Sequence, residues 1–161
     1  MTAAAEAFWL DYLGTLAAGH PHRRARPDVF AFGDSSGLAD ELAGLVEAGR
    51  KRATTTLPAE FAADGSTVPV AGDLSIVTRA DGTPVAIIEI VEVQEVPFAA
   101  VDAAYAAEEG EGDGSLAWWR DAHRAYFGRV AARLGTAFDD RTPVVCQRFR
   151  LLWPQSTCTS P

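Results

Sequence analysis

The chain has 161 residues, 48% of them apolar, and a formal net charge of -8 from 22 acidic and 14 basic side chains. That length fits one domain, the apolar fraction excludes a disordered chain, and no apolar run approaches the roughly 20 residues of a membrane span. So acidic a chain is poorly suited to tight, non-specific binding of long nucleic acid, whose affinity comes mainly from phosphate neutralisation.

Residues 3–18 carry Phe8, Tyr12 and Leu16 on one side, with Trp9 and Leu13 widening the apolar face, which predicts a helix ended by Gly19. A basic linker with Arg23, Arg24 and Arg26 follows, and Val29 to Phe32 predicts a short strand. After the cap-rich turn Gly33 to Gly37, Leu38, Leu42, Leu45 and Val46 predict a helix over 38–48, with Gly49 in the place of a C-terminal glycine cap. Thr54 to Thr56 predict a strand and residues 58–70 a loop. Strands at 74–78 and 85–96 flank the hairpin signal Asp81-Gly82, and the uneven glutamate spacing in the second predicts a bulge or bend. Residues 98–107 predict a helix and 108–114 an acidic glycine loop. Residues 115–134 carry the clearest helical stripe, from Leu116 through Trp119, His123 and Phe127 to Leu134, and 142–153 alternate as the last strand. The pattern is α+β, and short antiparallel strands of this kind predict a small barrel of five or six strands with helices at its rim. The organisation expected is an N-terminal helix and linker over 1–27, a domain over 28–154 and a flexible tail over 155–161.

Two cysteines, Cys146 in an apolar stretch and Cys158 in the polar tail, do not make a disulfide framework. With no charged start followed by an apolar segment at the N-terminus, a cytoplasmic bacterial protein is expected. The three histidines, at 20, 22 and 123, give no zinc spacing, and neither a phosphate-binding glycine loop nor a GxSxG elbow is present. No metal, no cofactor and no membrane partner are expected.

Three segments could carry chemistry. The cations are 13 Arg and one Lys, and that Lys51 stands just after a helix end, where positive charge is favourable in any case. Lysine differs from arginine in that its ammonium can lose a proton when buried, so beside a threonine hydroxyl it can activate a nucleophile. In an extended strand Lys51, Ala53 and Thr55 face one way, and Arg50, Arg52, Thr54 and Thr56 the other. Lys51 and Thr54 share a pocket only if the turn after Gly49 offsets that alternation. The acidic loop offers Glu109, Glu111 and Asp113 for capping or for acid-base work. In the third segment Trp119 and His123 lie on the apolar stripe and read as core, whereas Trp118 and Arg120 lie off it, where they could stack on a base.

The segment Gly49-x-Lys51-x-x-Thr54 after a short helix resembles the GxKxxT signature of the ASCH (ASC-1 homology) domain family, of the PUA-like superfold. Phe32-Gly33-Asp34-Ser35, Gly72-Asp73-Leu74 and Glu109-Gly110-Glu111-Gly112-Asp113 before the Trp-rich helix resemble its longer bacterial branch. The resemblance spans roughly 28–154. It implies a β-barrel with a cleft near the signature, and a function in binding RNA or nucleotides. One branch of the family hydrolyses N4-acetylcytidine to cytidine and acetate, and another member is a metal-dependent ribonuclease. Carried over, the resemblance implies Lys51, Thr54 and Glu111 as the catalytic set, with Glu109 as the alternative acid. Phe32, Asp34, Arg50, Arg52, Thr55, Trp118 and Arg120 are then candidates for contact with the substrate, a small nucleoside or single-stranded RNA.

Overall fold

Thr2 accepts the Ala5 N–H and starts α1 (Ala3–Gly14); from there the structure, a computed structural model, describes the chain through residue 154. The tail expected over 155–161, with Cys158, lies outside the described residues. The helix ends earlier than its apolar spacing predicts, because the Arg23 guanidinium donates to the carbonyls of Leu13, Leu16 and Ala17. Leu13 lies in the last turn of α1 and Leu16 and Ala17 just beyond it, so one arginine of the basic linker has a structural task.

The first of two compact units comprises residues 1–50, 72–90 and those from 150 onward. In it β1 (Asp28–Phe30) pairs in parallel with β3 (Leu74–Thr78), and β3 pairs antiparallel with the first half of β4 (Pro84–Pro97). The register jumps from Val77 opposite Ala86 to Thr78 opposite Pro84, so Val85 is the extra residue of a bulge near the hairpin. Trp9 and Tyr12 of α1 pack with Leu74, Ile76 and Ile87 in this unit's core. Ser35 caps α2 (Ser36–Glu47) by accepting the Leu38 N–H, and the helix buries Ala39, Leu42, Ala43 and Val46. It closes on a Schellman motif: Arg50 N–H donates to Leu45, Gly49 N–H to Val46, and Gly49 takes φ +70°.

The second unit comprises residues 51–71 and 91–149. Here β2 (Ala53–Thr56) pairs antiparallel with β5 (Pro143–Trp153), Thr55 opposite Cys146. The loop expected at 58–70 begins as a helix instead, α3 (Pro58–Asp64). Pro58 supplies a preset φ at its start, the Glu60 carboxylate accepts the Leu57 N–H, and Gly65 ends it at φ +67°. The helix expected over 98–107 divides into a 3-10 turn, Phe98–Ala100, and α4 (Ala103–Glu109), because the Asp102 carboxylate caps a new start at Tyr105 N–H. Ser115 caps α5 (Leu116–Leu134), whose Trp119, Phe127 and Val130 pack with Phe98, Tyr105 and Val144. Cys146 is a buried free thiol, pushed up to about 11 by burial.

The strands hydrogen-bond in the order β1-β3-β4-β5-β2, a mixed sheet in an α+β chain. The expected closed barrel is corrected in one respect: β1 and β2 end this order, and among the described residues no ladder joins them. Among the described residues no helix is long and apolar enough to cross a membrane.

Candidate functional site

The chain leaves the Schellman turn at Arg50 and enters the second unit at Lys51, and strict alternation then holds. Lys51, Ala53 and Thr55 are buried, Arg52 is exposed, and Thr54 and Thr56 are half-buried. Lys51 is 1% exposed. A buried ammonium is tolerated only if it is paired, and two carboxylates meet it. Glu109 Oε2, from the last residue of α4, lies 3.1 Å from Lys51 Nζ. Glu111 Oε1, from the glycine loop, lies 2.5 Å away. The other oxygen of Glu109 accepts the Thr55 hydroxyl at 2.5 Å. His123 Nε2 stands 3.4 Å from Glu109 Oε2.

A second tier holds this cluster. The Tyr105 hydroxyl donates to the Thr54 carbonyl, accepts the Gln147 N–H and lies 3.1 Å from Thr55 Oγ1. Gln147 in turn donates its side-chain amide to Thr56 Oγ1. The His123 ring stacks on Trp119 at 4.1 Å, and its Nδ1 lies 2.9 Å from the Trp119 carbonyl, which only an N–H can satisfy. With Nδ1 so committed, a bond from Nε2 to Glu109 makes the ring an imidazolium.

The electrostatics separate the two carboxylates. Burial alone would raise Glu109, but Lys51 and His123 hold it well below the usual carboxylate range. Glu111 is raised by burial and by the Glu109 charge, against the pull of Lys51. Burial alone would lower Lys51 and His123, yet Glu109 and Glu111 raise both. The cluster thus sets Glu109, held ionised by its neighbours, beside Glu111, pushed the other way, and neighbouring carboxyls driven apart in this way are a mark of acid-base sites. One atom each of Glu109, Glu111 and His123 lies within 4.8 Å of the others, a spacing that suits a metal ion on distance alone. The Lys51 ammonium already bonds both carboxylates, so the cluster carries its own cation.

Of the residues expected from sequence, the structure brings together Lys51 and Glu111 directly and Thr55 through Glu109. The plain alternation places the Thr55 hydroxyl, rather than that of Thr54, against Glu109; Thr54 lends the network its carbonyl. Glu109, expected as the alternative acid, is the central anion. Trp118 is exposed, whereas Arg120 donates to the carbonyls of Ala99 and Val101 and serves to tie α5 to the turn before α4. Phe32, buried, and Asp34 and Arg50, exposed, belong to the first unit. His123, expected as a core histidine, is missed by sequence reasoning, as are Tyr105 and Gln147. Its helical spacing from Trp119 was visible, but the carboxylate it meets comes from another helix.

A model of the ASCH domain matches residues 28–153. The chain is similar to the ASCH domain of Lactobacillus crispatus JV V101, known from a high-resolution crystal structure, with 33% identity, a TM-score of 0.87 and coverage of 94% of this chain and 96% of that one. It is also similar to protein EF3133 from Enterococcus faecalis V583, with 30% identity, a TM-score of 0.80 and coverage of 95% and 92%. No curated protein matches the chain.

Proposed function

Since the chain belongs to the ASCH domain family, we propose that it binds a nucleoside, free or within single-stranded RNA, beside Lys51, and hydrolyses an acyl amide on the exocyclic amine of cytidine. The observation that carries this reading is the Lys51 ammonium, held buried between Glu109 and a second carboxyl, Glu111, that is raised and partly open to solvent.

That environment redistributes the roles expected from sequence. A lysine held protonated by two carboxylates is a poor proton acceptor; it polarises the acyl oxygen, and Glu111 moves the proton. Ionised Glu111 takes a proton from an attacking water, since the alternation that points Lys51 and Thr55 inward leaves the Thr54 hydroxyl on the other face of the strand. As the C–N bond breaks, Glu111 returns the proton to the nitrogen, so that one water and one amide give one acid and cytidine. Glu109 and His123 hold the lysine in place and do not touch the substrate. This chemistry needs no metal, because the lysine supplies the positive charge.

Acetate release from N4-acetylcytidine, measured with and without a chelator, tests the reading. Release by the wild type should be indifferent to the chelator and should fall roughly 10²–10⁴-fold in Glu111→Gln. Lys51→Arg, which keeps the charge but not the compact ammonium, should fall comparably. No acetate from the wild type, or full activity in Glu111→Gln, would reject it. The exposed Arg50 and Arg52 on either side of Lys51 favour a second reading, an RNA-binding domain or ribonuclease without amidohydrolase activity. It predicts single-stranded RNA binding or cleavage at low salt with no acetate released.

A further inference from the structure

Trp118 and Trp119 are neighbours with opposite fates. Trp119 is buried between Phe98 and His123. Trp118 is 37% exposed, and among the described residues no aromatic ring stacks on it. Its position is nonetheless defined. A Cβ on Gly112 would lie 2.2 Å from both Cδ2 and Cε2 of Trp118, and 2.6 Å from Cζ2. Cδ2 and Cε2 are the fusion atoms of the indole, and nothing in the ring plane can approach both so closely. The Gly112 backbone therefore lies under one face of the ring, where only a residue without a side chain fits, at φ +55°. The other face is turned away from Gly112, and the residue keeps over a third of its surface exposed.

Gly112 directly follows Glu111, whose carboxylate bonds Lys51. The backbone that carries the proton-transfer group is thus the backbone on which the indole rests. On the same unit Arg52 is exposed, and its own backbone N–H donates at 2.8 Å to the Glu108 carbonyl, three residues before Glu111. A flat aromatic platform and an exposed arginine on the same unit are the parts with which single-stranded nucleic acid is held without sequence reading.

We infer that Trp118, backed by Gly112, stacks a base other than the one whose amide meets Lys51 and Glu111, so that the ligand is a single strand of at least two nucleotides rather than a free nucleoside. A base on the face turned away from Gly112 is separated from the loop by the thickness of the indole, which leaves the Lys51–Glu111 pair to its neighbour along the strand. Arg52 then meets the intervening phosphate. The inference rests on the proposed nucleoside site and adds the length of its ligand.

The test compares N4-acetylcytidine with a single-stranded RNA pentamer carrying the same acylated cytidine, reading both equilibrium binding and acetate release. In the wild type the pentamer should bind about five- to a hundredfold more tightly than the nucleoside, the range of one stacked base. Trp118→Leu should erase that advantage, and Trp118→Phe, which restores a flat ring, should recover most of it. If acetate is released but the pentamer binds no better than the nucleoside, or Trp118→Leu binds it like the wild type, the inference falls and the hydrolase reading stands. If no acetate is released but Trp118→Leu still abolishes pentamer binding, the hydrolase reading falls and the stacking site stands. A wild type that binds no pentamer at low salt overturns the inference.

Discussion

At the scale of single residues, the cluster is governed by the cost of burying Lys51. The ammonium is stable in the interior because Glu109 is ionised beside it, and Glu109 is stable because Lys51, His123 and Thr55 all face it. Lys51→Met keeps the shape and removes the charge. It should cost about 3–5 kcal/mol at neutral pH, since it strands a buried carboxylate. The pH dependence should change sign as well. In the wild type the lowered Glu109 contributes stability above the unfolded carboxylate range and loses it as pH falls through the folded value. In Lys51→Met burial raises the same carboxyl, so stability should increase on acidification. Urea unfolding at about pH 3 and about pH 6, on either side of the unfolded carboxylate value of about 4.3, checks this, and a variant with unchanged pH dependence would show that the pair is not coupled. His123, raised, acts in the opposite sense: its contribution is complete below about pH 6.5 and is lost as pH climbs through its folded value. The residue scale is also where the sequence was most and least legible. Lys51 stood out because it is the lone lysine, whereas the acidic glycine loop offered Glu109, Glu111 and Asp113 alike and only the family resemblance favoured Glu111. His123 did not stand out, because a histidine on an apolar stripe has the same spacing whether or not a carboxylate waits for its far nitrogen. Thr54 and Thr55 could be separated only by knowing whether the Gly49 turn offsets the alternation, and it does not.

At the scale of elements, the caps set where each functional residue arrives. The turn that sends Lys51 inward closes α2 through Gly49 at φ +70°, and a Cβ there would meet nothing within 4 Å. Gly49→Ala therefore isolates backbone strain and should lower stability by about 1–2 kcal/mol. Gly33→Ala should cost more at a similar φ, because its Cβ would lie 2.8 Å from Leu38. Thermal melts of the two variants check the order, and equal losses would mean that Leu38 yields without cost. Capping also explains which elements were misjudged. α3 is short and lies among loop-forming residues, yet Pro58, Glu60 and Gly65 mark its start and end. The helix expected over 98–107 was divided at Asp102, whose carboxylate competes as a fresh cap. Sheet closure was beyond local pattern altogether, since whether two edge strands meet depends on tertiary placement rather than on alternation within either strand.

At the scale of the whole molecule, the net charge of -8 conceals how the arginines are used. Arg79, Arg124, Arg148 and Arg150 are paired with carboxylates, and Arg23 and Arg120 with backbone carbonyls. Arg50 and Arg52, which flank Lys51 in sequence, remain exposed. A single strand held through these two would neutralise about two phosphates, and each contributes roughly -0.7 to the slope of log affinity against log salt. Binding of the RNA pentamer should therefore weaken with a slope between about -1 and -2, far gentler than that of a protein that grips a long polymer. Hydrolysis of the free nucleoside, which has no phosphate, should be flat over the same salt range. Neutralising Arg52 should take about one phosphate out of the slope without touching nucleoside turnover. A slope steeper than about -3 would mean more phosphate contacts than two arginines make, and the ligand would then be a longer strand than the Lys51 site alone requires.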